Sequence, residues 1–537
     1  MSAVPKEKLD EIYSDKSLLE KLGDRKSREL VVAFAGPIGC GIASVINSFE
    51  SALKAYGYEE IKQIKLSNLL TEQLEAKTIL RRTAESGESA KYKRYRDLQD
   101  AGRELRRITK NQAVMAEYAI KEIAKAREAG SESQRLDVKQ YSRRRVAYLI
   151  DQIKRPEEVA LLRALYRNIF YLVGVTRNEG DRKGFLEDEG VRTEEVDELI
   201  QIDRKEEAQE GQRLEKSLLL ADFFVRNGSA PDRKKQNLTI ENFVALIHGD
   251  KSITPTTMER GMFEAHSAGL ASACLSRQVG AAILTDQGEV IATGCNDVPM
   301  AGGGLYRYDL SPRENDKRCI YLEGRRCFND LHKRELLSSI EKELTKRVVS
   351  IAPQQLNADD AVDRALLDSI YENTRVGSLI EFSRSVHAEM AAIVSLARNG
   401  SSTGCNGATL YTTTFPCHNC ARHIVAAGIT RVFYIEPYEK SMALILHEDS
   451  ITLEEGKSET DSRIKFLHFE GVAPRQFQNL FLSGERKSKE GSYLALKKSQ
   501  LEQVNSEYLD DYQDFEAKAV EHFSVALGSL GSIDKAT

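Results

Sequence analysis

The stretch "TTTFPCHNCARHIVAAGI", residues 412 to 429, places Cys417 and Cys420 three positions apart, directly after a β-branched run and Pro416. The residues before Pro416 favour a strand, and those after Cys417 favour a helix. Two cysteines at i and i+3 where a helix begins can face one metal ion, and the helix N-terminus stabilises thiolates. This pair therefore indicates metal or redox chemistry before disulfides.

A second stretch, "FSRSVHAEMAAIVSLARNG", residues 382 to 400, has His387 and Glu389 two positions apart at the start of an apolar, helix-like run. A catalytic zinc takes three protein ligands and leaves its fourth position to water. The spacing H-x-E followed by P-C-x-x-C is the signature of zinc nucleobase deaminases, in which the glutamate moves protons. We therefore predict a zinc ion held by His387, Cys417 and Cys420, with Glu389 as the catalytic acid and base.

Other interpretations of these residues remain open at this point. A structural zinc or a redox pair is less favoured, because a structural site normally has four protein ligands. His418 and His423 are rival ligands by position, and we interpret both as ordinary helix residues.

The bulk composition limits the class of protein. A chain of 537 residues is expected to form two or three domains, and 41% hydrophobic with 30% charged residues is typical of a soluble globular protein. A net charge of -5 argues against a dedicated nucleic-acid binder. No run approaches the roughly 20 apolar residues of a membrane span, and the charged start lacks the apolar core of a secretory signal, so we expect a cytoplasmic protein.

The N-terminal part has the pattern of a parallel α/β domain. The apolar run "ELVVAFAG", residues 29 to 36, leads into a glycine-rich turn and an amphipathic helix, the context of a phosphate-binding loop. Runs at 143–151, 169–175 and 217–225 are predicted as further buried strands. The predicted phosphate-binding residues are Gly36, Gly39, Gly41 and Ser44.

This loop departs from a working P-loop, which has lysine and then serine or threonine after its last glycine. Ile42 and Ala43 stand at those positions, so phosphoryl transfer is doubtful. Three interpretations of the domain stay open: nucleotide binding for regulation, a degenerate kinase fold that serves as an assembly surface, or RNA contact through the basic stretch 91–107. A solvated helix face carries the same composition as that stretch, and we favour this simpler interpretation.

The pattern of linkers and charge predicts three regions. These are a P-loop, nucleotide-kinase-like domain with a degenerate Walker A motif and a helical insertion at 1–250, a zinc-dependent deaminase-like domain at 251–480, and a charged helical tail at 481–537. Within the second region, residues 278–297 predict a β-hairpin, and a long insertion spans 298–384. Cys319 and Cys327 of this insertion, near His332, fit no standard zinc spacing, and we interpret them as free thiols.

The motifs "VHAEMAAI", "TLYTTTFPCHNCARHIVAAGITRVFY" and "SRQVGAAILTDQGEVIATGCNDVP" together resemble the deoxycytidylate (dCMP) deaminase branch of the cytidine deaminase superfamily. The resemblance covers about residues 255 to 450. It implies a three-layer αβα fold with a mixed sheet, one zinc per site, and conversion of cytosine to uracil with release of ammonia. It also implies that Asn296 contacts the nucleotide sugar, although a turn residue at a hairpin end is an equal alternative.

The whole layout, a P-loop domain ahead of this deaminase domain, resembles the anti-phage dCTP deaminases of the AvcD type. That resemblance implies conversion of dCTP and dCMP to dUTP and dUMP, depletion of dCTP pools during phage infection, and inhibition by a small RNA. A homo-oligomer is expected, because small deaminase domains commonly assemble. The alternatives are a polynucleotide deaminase acting on tRNA adenosine or single-stranded DNA cytosine, and an inert nucleotide-binding regulator. A net acidic chain without tryptophan disfavours the first, and an intact zinc motif disfavours the second.

Overall fold

The computed structural model describes residues 26–83, 87–136, 138–204, 213–228, 233–308, 314–351, 364–400, 404–438, 441–454, 461–482, 486–489, 491–494, 497–507 and 509–528. They form two compact units, one from residues 1–255 with 470–537 and the other from 256–469. The second unit is therefore an insertion in the chain of the first. No helix in the described ranges is both long and apolar enough to cross a membrane.

The strands, in chain order, are β1 (Leu30–Ala35), β2 (Glu60–Lys65), β3 (Val146–Ile153), β4 (Phe170–Thr176), β5 (Phe223–Arg226), β6 (Gly280–Leu284), β7 (Val290–Cys295), β8 (Thr409–Thr414), β9 (Arg431–Glu436), β10 (Ile451–Thr452), β11 (Ile464–His468) and β12 (Gly471–Val472).

The helices are α1 (Ile42–Ala55), α2 (Ser67–Glu75), α3 (Ala90–Thr109), α4 (Val114–Gln134), α5 (Val138–Ser142), α6 (Pro156–Tyr166), α7 (Glu179–Asp188), α8 (Thr193–Arg204), α9 (Leu214–Leu218), α10 (Arg233–Ile247), α11 (Thr257–Gly269), α12 (Phe328–Ile351), α13 (Arg364–Asn373), α14 (Ala388–Arg398), α15 (His418–Ala426), α16 (Ala443–Leu446), α17 (Phe477–Phe481) and α18 (Leu509–Gly528).

The first unit is built on a six-stranded mixed sheet with the order β12-β5-β4-β1-β3-β2. Strands β2 to β5 run parallel to β1, and the short β12 pairs antiparallel with β5. All six residues of β1 are buried, as the continuous apolar run "LVVAFA" predicts for a central parallel strand. The predicted strand at 217–225 is only partly correct, because Leu214–Leu218 form helix α9 and the strand begins at Phe223.

The C-terminal segment packs into the first unit, and the region predicted as a charged helical tail at 481–537 contains helix α18. Strand β12 completes the sheet, and helix α18 packs on α4. Arg127 of α4 is buried between the carboxylates of Glu29 and Glu516, donating at 2.9 Å to Glu29 and pairing with Glu516 of α18. A buried guanidinium needs such paired acids, because burying one of these charges without its partner costs several kcal/mol.

The second unit is built on a mixed sheet with the order β10-β11-β9-β8-β6-β7. β6 pairs antiparallel with both β7 and β8, whereas β8, β9, β11 and β10 run parallel. Leu410 of β8 lies in the core that includes residues of α14 and α15, and a Cβ on Gly261 of α11 would meet Tyr411 at 2.5 Å. Neighbouring strand residues point to opposite faces, so helices cover both faces of this sheet, as the αβα prediction requires.

Candidate functional site

The site residues of the second unit lie where helices begin. His387 is the N-cap of α14, and Cys417 is the N-cap of α15, which follows the end of β8 by three residues. Both N-caps have extended backbone angles, and the Cys417 thiol accepts a hydrogen bond from the N–H of Cys420 at 3.4 Å. Two helix N-termini, each with a positive dipole end, therefore converge on one point.

The three predicted ligands come together there. His387 Nδ1 lies 3.2 Å from Cys417 Sγ and 3.4 Å from Cys420 Sγ. All three ligand atoms lie within 4.8 Å of one another, and in the described part of the chain they are the group suited to hold a metal. Tetrahedral zinc with bonds of about 2.3 Å to sulfur and 2.0 Å to nitrogen requires similar separations, so the donor set fits this ion.

The two thiols differ in acidity. The hydrogen bond with Cys420, together with the His387 imidazole, lowers the pKa of Cys417 to about 4. The same pairing with Cys417 raises the pKa of Cys420 well above its ordinary value. Two thiols in contact cannot both ionise without a cation between them, so a divalent metal is the partner that this pair lacks on its own.

Glu389 lies in the first turn of α14 and is almost completely buried. Its Oε2 atom lies 3.4 Å from Cys420 Sγ, and burial raises the pKa of the carboxyl group. A carboxyl group placed beside the metal-capable group can act as both base and acid, accepting a proton and then donating it.

The rival ligands do not join this group. His423 Nδ1 contacts the backbone oxygen of Asn419 at 2.6 Å, one turn back along α15. His418 begins the helix but does not belong to the metal-capable group. Their interpretation as helix residues agrees with this placement.

Asn296 is in the pocket but is held by the backbone. Its Nδ2 donates to the carbonyl oxygen of Arg277 at 2.8 Å, and its Oδ1 accepts from the N–H of Val279 at 2.7 Å. The side chain is 7% exposed. In this structure Asn296 therefore fixes the chain before β6 and also lines the pocket, and its contact with the nucleotide sugar stays a prediction.

The pocket at the metal-capable group extends beyond the residues that the sequence indicated. It is lined by His387, Glu389, Cys417, Thr414, Phe415, Asn296, Arg277, Tyr438, Arg384, Phe328, Asn329, Cys274, Cys319 and Cys327, among others. Arg277 and Arg384 are two cations that sequence analysis missed. Arg384 precedes His387 by only three residues, which was the available signal.

Cys319 and Cys327 line the pocket but form no metal-capable group with His332 among the residues that the structure describes. His332 Nδ1 instead pairs with Glu335 at 2.7 Å. Burial raises the pKa of Cys319, so this thiol is less reactive than an exposed one.

The glycine-rich turn of the first unit joins β1 to α1. Gly39 and Gly41 have φ angles of 79° and 74°, the left-handed region that favours glycine. The N–H of Ile38 donates to Asp203 Oδ2 at 2.6 Å, and Lys154 Nζ donates to Asp203 Oδ1 at 2.6 Å. A carboxylate of the chain itself therefore sits against the turn.

Ser44 of this loop is used within the loop. Its hydroxyl donates to the carbonyl oxygen of Gly41 at 2.9 Å and accepts from Asn227 Nδ2 at 3.1 Å. Lys154 also donates to the carbonyl oxygen of Gly36 at 3.2 Å. Lys154, directly after β3, thus approaches the turn while it is paired with Asp203.

The basic stretch 91–107 lies in α3, and its aromatic rings are not free for stacking. Tyr92 is buried, and the hydroxyl of Tyr95 donates to Glu189. Several of its arginines pair with acids, as Arg103 does with Asp100 at 2.8 Å. These contacts are those of an ion-paired helix surface.

Comparison with known proteins agrees with the site. The family model for the cytidine and deoxycytidylate deaminase zinc-binding region matches residues 255–436. Deoxycytidylate deaminase of Enterobacteria phage T4 is 30% identical over 174 residues, which are 32% of this chain and 72% of the phage protein. The enzyme of the same name from phage T2 is 30% identical over 172 residues, 32% of this chain and 74% of the relative. A solved dCMP deaminase from cyanophage S-TIM5, in complex with dCMP and dUMP, is 18% identical, with 40% of this chain and 98% of that chain covered at a TM-score of 0.22.

The mixed sheet, the two converging helix N-termini and the His/Cys/Cys group define a zinc-binding hydrolase domain of the deaminase type. The chain belongs to the cytidine and deoxycytidylate deaminase family. Zinc is the cofactor of that family's matched region.

Proposed function

We propose that this protein catalyses the hydrolytic deamination of free deoxycytidine nucleotides, converting dCTP, dCMP or both to dUTP or dUMP with release of ammonia. The observation that carries the proposal is the convergence of His387 Nδ1, Cys417 Sγ and Cys420 Sγ within 4.8 Å, beside the buried carboxylate of Glu389. The phage relatives named deoxycytidylate deaminase support a deoxycytidine nucleotide as substrate.

The chain's own residues have separate roles in this reaction. His387, Cys417 and Cys420 hold the zinc, which when bound supplies the Lewis acidity that makes water nucleophilic at neutral pH. The Glu389 carboxylate accepts one proton from the attacking water and passes it to the ring nitrogen N3 of cytosine while the water oxygen bonds to C4. It then takes the remaining proton from the new C4 hydroxyl and gives it to the amine, which leaves as ammonia as the C4=O bond forms. Burial of Glu389 keeps bulk water from competing for these protons.

A polynucleotide deaminase is the second candidate, because enzymes that act on tRNA or single-stranded DNA share the same motifs. Such enzymes use exposed aromatic rings and a basic channel for single strands. Tyr92 and Tyr95, the aromatic residues of the basic stretch, are instead buried or hydrogen-bonded to Glu189. Since these two tyrosines offer no single-strand platform, we favour a free nucleotide as the substrate.

For the first unit we propose a P-loop-like domain in which the turn formed by Gly36, Gly39, Gly41 and Ser44 binds a regulatory nucleotide through its phosphates. Lys154 lies beside this turn, where it donates to the carbonyl oxygen of Gly36 and pairs with Asp203, so a phosphate would have to displace that carboxylate. The turn lies at the end of β1, where the strand order of the sheet reverses and where open α/β sheets bind ligands.

The biological role is proposed from the resemblance to AvcD-type enzymes. In this role the protein acts in the cytoplasm and depletes dCTP during phage infection. Before infection a small RNA inhibits it. It assembles as a homo-oligomer, as small deaminases commonly do.

The decisive test is ammonia release and product chromatography on purified, zinc-replete protein given dCMP, dCTP, CTP, deoxycytidine, tRNA and single-stranded DNA. The matched control is Glu389→Ala. Uracil nucleotides formed only by the native protein support the proposal. Activity confined to tRNA or DNA assigns the second candidate instead.

A further inference from the structure

A nucleotide carries its negative charge on phosphate, remote from the base that reacts. The pocket also holds the acidic Glu389 near the metal-capable group, and the whole chain has a net charge of -5. An anionic substrate therefore needs a cation in the pocket that the protein has not already neutralised. Arg277 and Arg384 are the arginines among the lining residues.

Arg277 is already neutralised. Its guanidinium lies 2.6 Å from Glu436 Oε1 and stacks over the ring of Tyr438 at 5.4 Å. The other oxygen of Glu436 accepts a hydrogen bond from Thr414 at 2.9 Å, which fixes the carboxylate in place. A phosphate at Arg277 would have to compete with this ion pair.

Arg384 has a different environment. Its Nη1 donates to the carbonyl oxygen of Lys317 at 2.9 Å, and the guanidinium lies over the ring of Phe328 at 5.1 Å. In the described part of the chain Arg384 has no carboxylate within salt-bridge distance. A neutral carbonyl and an aromatic face orient the guanidinium without cancelling its charge.

The position of Arg384 also suits a nucleotide. It lies three residues before His387, so their Cα atoms are separated by at most about 10 Å of extended chain, comparable with the length of a nucleoside. One short segment thus carries both a candidate metal ligand and a guanidinium that has no carboxylate partner among the described residues. The base and the phosphate of one nucleotide can reach both ends of it.

We propose that Arg384 is the phosphate-binding, specificity-determining residue of this pocket and makes the enzyme select nucleotides over the free nucleoside. This inference rests on the proposed function and deepens it. It also gives the predicted insertion a role, because Lys317 and Phe328 of that segment hold the guanidinium in place. An arginine can bind phosphate through two parallel N–H donors, which lysine cannot reproduce.

The test measures binding separately from turnover. In zinc-replete protein with Glu389→Ala, calorimetry gives the Kd of dCMP, dCTP and deoxycytidine with Arg384 intact, with Arg384→Gln and with Arg384→Lys. We expect Arg384→Gln to raise the Kd of both nucleotides by about 10- to 100-fold, the usual effect of losing a hydrogen bond to a charged group. The Kd of deoxycytidine should stay unchanged. Arg384→Lys should recover part of the loss.

Arg431→Gln is the matched control, since Arg431 pairs with Asp286 at 3.0 Å and does not line the pocket. The inference is overturned if Arg384→Gln raises the Kd of the nucleoside and of the nucleotides equally, or if it raises neither. Both results leave the deaminase proposal intact. If the native protein binds none of the three ligands and deaminates no free cytosine compound, both proposals fail together. Zinc content equal to that of the native protein confirms that each variant is folded.

Discussion

Lys154 Nζ and Asp203 Oδ1 lie 2.6 Å apart beside the glycine-rich turn, and the other oxygen of Asp203 accepts the N–H of Ile38 at 2.6 Å. Asp203 is the penultimate residue of helix α8, an end at which the helix dipole disfavours a negative charge. The lysine and the backbone N–H therefore compensate a carboxylate in an unfavourable place. That carboxylate occupies donors that a phosphate would use.

We predict that Asp203→Asn raises the affinity of the first unit for a nucleoside triphosphate, on the order of tenfold, because one competing charge is removed while the side-chain shape is kept. Calorimetry on the full chain measures the change, with ATP as the probe in the Glu389→Ala background. Asp197→Asn is the control, since Asp197 pairs with Lys183 at 2.8 Å on the surface. An unchanged Kd for Asp203→Asn would show that this carboxylate does not compete with a phosphate at the turn.

The second prediction concerns Glu389. Glu389→Gln keeps the size and burial of the side chain but cannot carry the proton, so turnover should fall by a factor of about 1,000 or more while zinc stays bound. Steady-state kinetics and elemental analysis of the same preparation separate the two effects. A variant with near-native turnover contradicts the assigned role.

The third prediction concerns the metal. Cys417→Ala and Cys420→Ala should each lower the zinc content to well below one ion per chain, because two ligands hold zinc poorly. Cys405→Ala, a partly buried cysteine outside the metal-capable group, is the matched control and should keep its zinc. Zinc retained by the first two variants would mean that other residues are the ligands.

The fourth prediction is a pH dependence of stability in the first unit. His248 stacks on Tyr56, contacts the Tyr58 hydroxyl at 3.0 Å, and its pKa is lowered to about 4 by burial, with nearby Arg145 acting in the same direction. The folded state therefore keeps this imidazole neutral, while the unfolded state protonates it near its ordinary pKa of about 6.5. The neutral His248 therefore contributes to the free energy of unfolding fully above about pH 6.5. This contribution, up to about 3 kcal/mol, is lost as the pH falls toward 4.

Urea unfolding of the native protein and of His248→Gln, monitored by circular dichroism between pH 7.5 and 4.5, measures the contribution of His248 to the free energy of unfolding. The variant should be less stable than the native protein at pH 7.5, and the gap should narrow at pH 4.5. A gap that is constant with pH would show that the histidine does not titrate on unfolding.

The elements that could be predicted from the sequence are those whose local residue pattern matches their position in the fold. The buried run of β1, the hairpin β6–β7 and the convergence of His387 with Cys417 and Cys420 are all present in the structure. The strand β2 was missed because "EIKQIK" is charged and lies at the sheet edge, where apolar alternation is weak. The pairing of β12 with β5 joins residues nearly 250 positions apart, and no local pattern encodes such a contact.

In the pocket, too, local motifs could be predicted, whereas contacts between residues distant in the sequence could not. Glu389 and the ligand set follow from motif chemistry, whereas the ion pair that neutralises Arg277 involves Glu436, which is 159 positions away. The sequence near Arg277 gives no sign that its charge is neutralised in the fold. Both ends of the Asn296 amide bond the backbone of residues 277 and 279, contacts that no pattern around position 296 encodes.

The insertion of residues 256–469 into the first unit has a consequence for biosynthesis. On the ribosome, strands β1 to β5 emerge first, but β12 and helix α18 emerge only after the entire deaminase unit has been made. The buried Arg127 must wait for Glu516 until the deaminase unit has been made, so the first unit remains unfinished while the second can already fold. The zinc-binding unit is thus expected to reach its final form during translation before the unit into which it is inserted.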